Sequence, residues 1–286
     1  MVVSGSTRVV GIFGDPVSHS LSPLMQNAAI QGAGIDAVYV PFHVGAAQLC
    51  DAVRAIRALG LAGVNLTIPH KEAACRLVDE LDPVAELSGA VNTIVNREGR
   101  LLGYNTDGAG LLRAVREDLG VDSRGKRVLI VGAGGAARAA MVAMAGAGAA
   151  WIGVANRTPG RAEQLVAELA AKLTGTAFAA FPLEGLAGRL DGGVDLLINS
   201  SAAGLQGQPL DLPVGGCVRP DGAVYDMVYG REPTALVVAA RAAGLAAADG
   251  LGMLAGQGEE AFRLWFSSAP PPGAMRAALE HRRNHG

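Results

Sequence analysis

The sequence predicts an α/β protein of two domains with mostly parallel sheets. Three observations carry that prediction. The chain is 286 residues long, which suits two compact domains better than one. Apolar, β-branched runs alternate with helix-prone stretches from end to end, the order that builds βαβ units. One such run, residues 128–131, passes directly into a glycine-rich turn and then a helix-prone segment, as a nucleotide-binding crossover requires.

In chain order, residues 9–13 read as the first strand. Ser22-Pro23 reads as a helix start, with Ser22 as cap and Pro23 in the first helical position. Residues 39–42 form a second strand, 48–59 a helix and 63–67 a third strand. Residues 91–95 and 101–104 flank Arg97-Glu98-Gly99 and predict a hairpin, one antiparallel element in a parallel setting. A helix over 108–118 opens the second unit. Strands follow at 127–131, 151–155, 177–179, 195–199 and 224–226, and helices at 252–265 and 272–283 close the chain. The expected domains are 1–107 with 251–286, and 108–250, with a cleft between them.

Composition excludes several function classes. With 24 Lys+Arg against 26 Asp+Glu there is no basic footprint for nucleic acid. Half the residues are hydrophobic, enough for large cores and too many for disorder. The most apolar stretch, 128–154, is broken by glycines and carries Arg138, so no membrane span is expected. Cys50, Cys75 and Cys217 are widely spaced, as in a reducing cytoplasm, and the start of the chain has no signal-peptide pattern. His19, His43 and His70 lack metal-ligand spacing, and no metal is expected.

The glycine turn reads Gly132-Ala133-Gly134-Gly135-Ala136-Ala137. The first glycine permits a tight turn, the second lets a diphosphate approach the backbone, and small Ala137 lets helix and strand pack closely. Free N–H groups at the helix start face the anion. An NAD enzyme usually places an acid at the end of the next strand to hold the ribose 2′-hydroxyl. Here Asn156-Arg157-Thr158 and Arg161 stand there instead. Paired guanidinium donors match a 2′-phosphate, so the expected cofactor is NADP.

Further motifs carry a family resemblance. Gly14-Asp15-Pro16 with His19-Ser20-Leu21-Ser22-Pro23 resembles the opening motif of shikimate dehydrogenases. Asn65-Leu66-Thr67-Ile68-Pro69-His70-Lys71-Glu72 resembles their catalytic-lysine motif. Gly89-Ala90-Val91-Asn92-Thr93, Asn105-Thr106-Asp107-Gly108, Tyr225-Asp226-Met227-Val228-Tyr229 and Asp249-Gly250-Leu251-Gly252-Met253-Leu254, with Gln257 after, resemble later blocks in the same order. The chain departs from the pattern at Gln26, where histidine is frequent, and at Ser200-Ser201-Ala202-Ala203-Gly204-Leu205.

The resemblance implies a small ring hydroxy acid as substrate, Lys71 as acid–base residue paired with Asp107, and Ser20 and Ser22 on the substrate carboxylate. It also implies Thr67, Asn92 and Gln257 around the ring hydroxyls, Tyr229 closing the pocket, and Met227 and Gly250 beside the cofactor. Hydride reduction of a ketone leaves an alkoxide that needs a proton, which a positioned lysine supplies. The implied reaction is NADP-dependent reduction of 3-dehydroshikimate to shikimate, in the chorismate pathway, by a monomer or homodimer. Quinate or aminoshikimate oxidation, and a non-catalytic dinucleotide sensor, remain as alternatives.

Overall fold

The structure is a computed structural model that describes residues 3–201, 203, 210 and 212–285. The expectations on Ala202, Gly204 and Leu205 lie outside the described residues. The chain forms two compact units, Met1–Thr106 with Leu254–Gly286, and Asp107–Met253.

The first unit is built on β1 (Arg8–Gly14), α1 (Ser22–Gly32), β2 (Ala37–His43), α2 (Leu49–Ala58), β3 (Gly63–Leu66), β4 (Glu80–Leu81), α3 (Pro83–Ser88), β5 (Thr93–Arg97) and β6 (Arg100–Tyr104). Its sheet runs β2-β1-β3-β5-β6-β4. β1 pairs in parallel with β2 and β3, whereas β5 is antiparallel to β3 and β6. The expected hairpin is present, turning through Glu98 and Gly99, both at positive φ. In α2, Leu49, Val53 and Ile56 recur at helical spacing and are buried against strand residues such as Val64, Leu66 and Ile94. The expected strand at 91–95 begins two residues later. The preceding residues instead belong to the loop that carries Asn92.

The second unit contains α4 (Asp107–Leu119), β7 (Arg127–Val131), α5 (Gly135–Gly146), β8 (Trp151–Asn156), α6 (Pro159–Ala170), β9 (Ala177–Pro182), β10 (Val194–Asn199), α7 (Val214–Cys217), β11 (Val218–Asp226), α8 (Ala235–Ala242) and β12 (Ala246–Asp249). Its sheet runs β9-β8-β7-β10-β11-β12, every pairing parallel. Counted from β7 this is the 3-2-1-4-5-6 order of the doubly wound dinucleotide fold. Its central strands are buried on both faces, which is why 128–131 is an unbroken apolar run. The order reverses between β7 and β10, and ligands of such sheets sit outside the carboxyl ends at that reversal. α9 (Leu251–Phe266) and α10 (Ala274–His285) complete the chain. Among the described residues no helix is long and apolar enough to cross a membrane, and no cluster of three or more His, Cys, Asp or Glu could hold a metal ion.

Candidate active site

In the first unit, chemistry-bearing residues gather at the carboxyl ends of β1 and β3. The two strand ends are tied together, Thr67 N donating to Phe13 O at 3.0 Å and Asp15 N to Ile68 O at 3.0 Å. The Asp15-Pro16 and Ile68-Pro69 bonds that follow are both cis. The Ser20 backbone N–H closes a turn onto Val17 O, and α1 then begins.

Here one expectation is corrected. Leu21, not Ser22, is the cap residue of α1, and no side chain caps it. Ser22 sits one position inside the helix and is buried. The Ser22 N–H instead donates to Ser20 Oγ at 3.2 Å. That bond pins the Ser20 oxygen and leaves its proton with no acceptor among the described residues. The Thr67 hydroxyl has no partner among them either.

Lys71 follows β3 in a turn and is half-buried, its carbonyl accepting from Val91 N at 2.8 Å. His70 is buried, with Nε2 against Val44 O at 2.7 Å, and so is a packing residue. His43 pairs with Asp15 at 2.8 Å on the surface.

Asn92 is buried, and its amide locks the loop after β6. Oδ1 accepts from Thr106 N at 2.8 Å, and Nδ2 donates to Thr106 Oγ1 at 2.9 Å. Gln257 lies on α9 with Nε2 donating to Leu254 O at 2.8 Å, and Gln26 Nε2 donates to Gly258 O on the same helix at 2.9 Å.

In the second unit the glycine turn lies at the end of β7, at the strand-order reversal. Gly132 has φ +115°, and a Cβ there would meet Ser200 Oγ at 2.7 Å and Ser201 N at 3.1 Å. Ser200 Oγ donates to Val131 O at 2.8 Å, so the turn after β10 holds the turn after β7. Gly134 caps α5 at φ −101°, where any residue could sit. A Cβ on it would touch nothing within 4 Å. The open space ahead of the helix therefore fits a ligand diphosphate, and nothing in the chain itself requires glycine there. Ala133 is half-buried, Gly135 and Ala136 are exposed, and Ala137 is buried against the sheet.

At the end of β8, Asn156 Nδ2 donates to Thr158 O at 2.9 Å and shapes the turn into α6. Thr158 occupies the cap position, but its hydroxyl makes no capping bond. Arg157 and Arg161 are exposed, and neither guanidinium pairs with any described residue. By contrast Arg138 is tied to Glu168.

The loop after β11 carries Met227 and Tyr229. A Cβ on Gly250 would collide with the Met227 backbone, so only glycine fits that crossing. Buried Asp226, absent from the candidate set, organises this loop. It accepts from Thr234 Oγ1 at 2.6 Å, Val228 N at 3.1 Å and Asn199 Nδ2 at 2.8 Å. Burial raises its carboxyl pKa above the usual range despite those donors. Burial likewise raises the Tyr229 phenol, whose hydroxyl has no partner among the described residues. The signal for Asp226 and Asn199 was available, since each is a polar residue ending an otherwise apolar buried strand. Asp107 is the first residue of α4 and half-buried.

Known proteins share this arrangement. The family descriptions shikimate dehydrogenase substrate binding domain, shikimate / quinate 5-dehydrogenase and shikimate 5'-dehydrogenase C-terminal domain match residues 12–94, 114–205 and 250–280. Shikimate dehydrogenase (NADP(+)) of Geobacter sulfurreducens is 52% identical over 98% of each chain. Among solved structures, shikimate 5-dehydrogenase of Listeria monocytogenes in complex with shikimate and NAD has TM-score 0.90 at 36% identity, over 97% of this chain and 98% of that one. Ligand-free 5-ketofructose reductase of Gluconobacter sp. strain CHM43 has TM-score 0.88 at 34% identity, over 98% and 100%. With half its residues shared with a full-length relative, and family segments matched from near its start to near its end, the chain belongs to the shikimate dehydrogenase family.

Proposed function

We propose that this chain is an NADP-dependent oxidoreductase interconverting 3-dehydroshikimate and shikimate in the cytoplasm. One observation carries the reading. Beside Lys71, the Ser20 hydroxyl proton and the Thr67 hydroxyl lack an internal partner among the described residues at the strand ends of the first unit, and the two guanidiniums at the end of β8 lack one in the second. These half-buried hydroxyls and exposed guanidiniums are open to a ligand that completes their bonding.

The Ser20 and Ser22 hydroxyls hold the substrate carboxylate without adding a competing charge. Thr67, Asn92 and Gln257 serve the ring hydroxyls, and Tyr229 covers the ring. Lys71 supplies a proton to the carbonyl oxygen as it becomes a hydroxyl, and takes it back in the reverse direction. Asp107 orients that ammonium. NADP, when bound, supplies or accepts the hydride. Gly132, Ala133, Gly134, Gly135, Ala136 and Ala137 hold its diphosphate, Asn156, Arg157, Thr158 and Arg161 its 2′-phosphate, and Met227 and Gly250 its nicotinamide end.

The test is a steady-state screen of shikimate, quinate, aminoshikimate and 5-ketofructose against NADP and NAD. The sugar is included because of the likeness to 5-ketofructose reductase. Highest kcat/KM for shikimate with NADP is expected, and a clear preference for another substrate would overturn the reading.

Cofactor choice has its own test. Arg157→Ala should weaken NADP by about 1.5–3 kcal/mol, the worth of a hydrogen bond to a charged group, and leave NAD nearly unchanged. Calorimetric titration of both cofactors measures this, and equal losses would contradict the 2′-phosphate assignment.

A further inference from the structure

β10 and β11 run in parallel and end level, with Asn199 the register partner of Asp226. Both side chains are buried. Register partners in a sheet point to the same face, so the Asn199 amide meets the Asp226 carboxylate, Nδ2 donating to Oδ1 at 2.8 Å. Asp226 Oδ1 also accepts from Val228 N at 3.1 Å. Oδ2 accepts at 2.6 Å from Thr234 Oγ1, the hydroxyl that caps α8. One carboxylate therefore closes the loop between β11 and α8 at both of its ends.

Met227 stands at the start of that loop. Its N–H donates to Asn199 O at 2.9 Å, and the carbonyl that follows, Val228 O, accepts from Gly250 N at 3.1 Å. The main chain of residue 227 is thus held from β10 on one side and from the turn after β12 on the other, with the Asp226 carboxylate bonded to the residue after it. Bonds to an ionised acceptor are shorter and stronger than neutral ones, which suits this carboxylate to fixing a loop.

We propose that Asp226 is a positioning residue for the nicotinamide half of the cofactor, acting through Met227. It rests on the proposed function, in which Met227 and Gly250 hold that half. The adenosine half is assigned to other groups, the turn after β7 and the end of β8. Ser200 holds the first of these through its own bond to Val131 O, and Asn156 shapes the second through Thr158 O. Loss of the Asp226 carboxylate therefore loosens one half of the cofactor site and leaves the other standing.

The test is Asp226→Ala in the full-length chain, with circular dichroism to confirm folding. Calorimetry compares NADPH with 2′,5′-ADP, which carries the 2′-phosphate and lacks nicotinamide. NADPH affinity should fall about 3–12-fold, the worth of one hydrogen bond, and 2′,5′-ADP affinity by less than about twofold. Turnover at saturating substrates should fall about 10–100-fold, because hydride transfer depends on where the ring is held. A residue that only stabilises the fold would move neither ratio.

Should Asp226→Ala fail to fold, Thr234→Ala takes its place. That change removes one of the carboxylate's bonds at the helix cap, and it should weaken NADPH about threefold with 2′,5′-ADP unchanged. Equal losses on the two ligands, or no loss on NADPH, would overturn the inference while leaving the function reading intact. A wild-type chain that does not turn over shikimate with NADP would instead overturn the function reading, and this inference with it.

Discussion

Lys71→Ala is expected to lower turnover by about 10²–10⁴-fold, the range for a positioned acid–base group. The lysine sits in the turn after β3, its carbonyl fixed by Val91 N, so its main-chain position does not depend on its side chain. Removing the ammonium takes away the proposed proton donor and leaves Ser20, Ser22 and Thr67 in place. KM for shikimate should therefore move much less than kcat, because the lost interaction matters most in the transition state. Steady-state kinetics, with circular dichroism to show a folded variant, measures both. A folded Lys71→Ala enzyme with near-normal turnover on its best substrate would mean that another group moves the proton.

Gly132→Ala should cost about 2–4 kcal/mol of stability and much of the cofactor affinity. Two costs combine there, a backbone conformation that side chains avoid and a Cβ forced onto Ser200 Oγ. Gly134→Ala is the informative contrast. Its backbone is unstrained and its Cβ would meet no protein atom within 4 Å, so stability should change by less than about 1 kcal/mol. Yet its methyl would stand where the diphosphate must approach, and NADP affinity should drop by about tenfold or more. Urea unfolding and NADPH fluorescence titration separate the two effects. Undiminished NADP binding by Gly134→Ala would show that the space before α5 is not the diphosphate's.

The dinucleotide-type fold of the second unit was legible because its signal is local. Strand, turn and helix of residues 127–146 are contiguous, and each choice of residue type agrees with the next. The Arg157 and Arg161 reading needed only the end of one further strand. The serine pair was harder to read. Ser-Pro fits both a cap and a first-turn position, and α1 starts one residue earlier than that pattern suggests, which puts Ser22 inside the first turn. The hydrogen-bonded row of Tyr39, Asn65 and Thr93 was not legible at all, because its members lie 26 and 28 residues apart and meet only through sheet register. β12 reads Ala246-Ala247-Ala248-Asp249, a composition that favours helix, and becomes a strand by pairing with β11. For α3 the signal was present. Asp82 ahead of Pro83 is a strong start, and its carboxylate accepts from Val84 N and Ala85 N.

The exposure of Arg157 and Arg161 has a consequence for how the two nicotinamide cofactors are told apart. A guanidinium surrounded by water attracts a phosphate through a medium full of mobile ions, and at physiological ionic strength that attraction fades over about 8 Å. Buried hydroxyls and helix N–H groups at short range are far less affected. If these guanidiniums hold the 2′-phosphate as proposed, discrimination between the cofactors is a property of chain and electrolyte together, widest in dilute buffer and narrowing as salt is added.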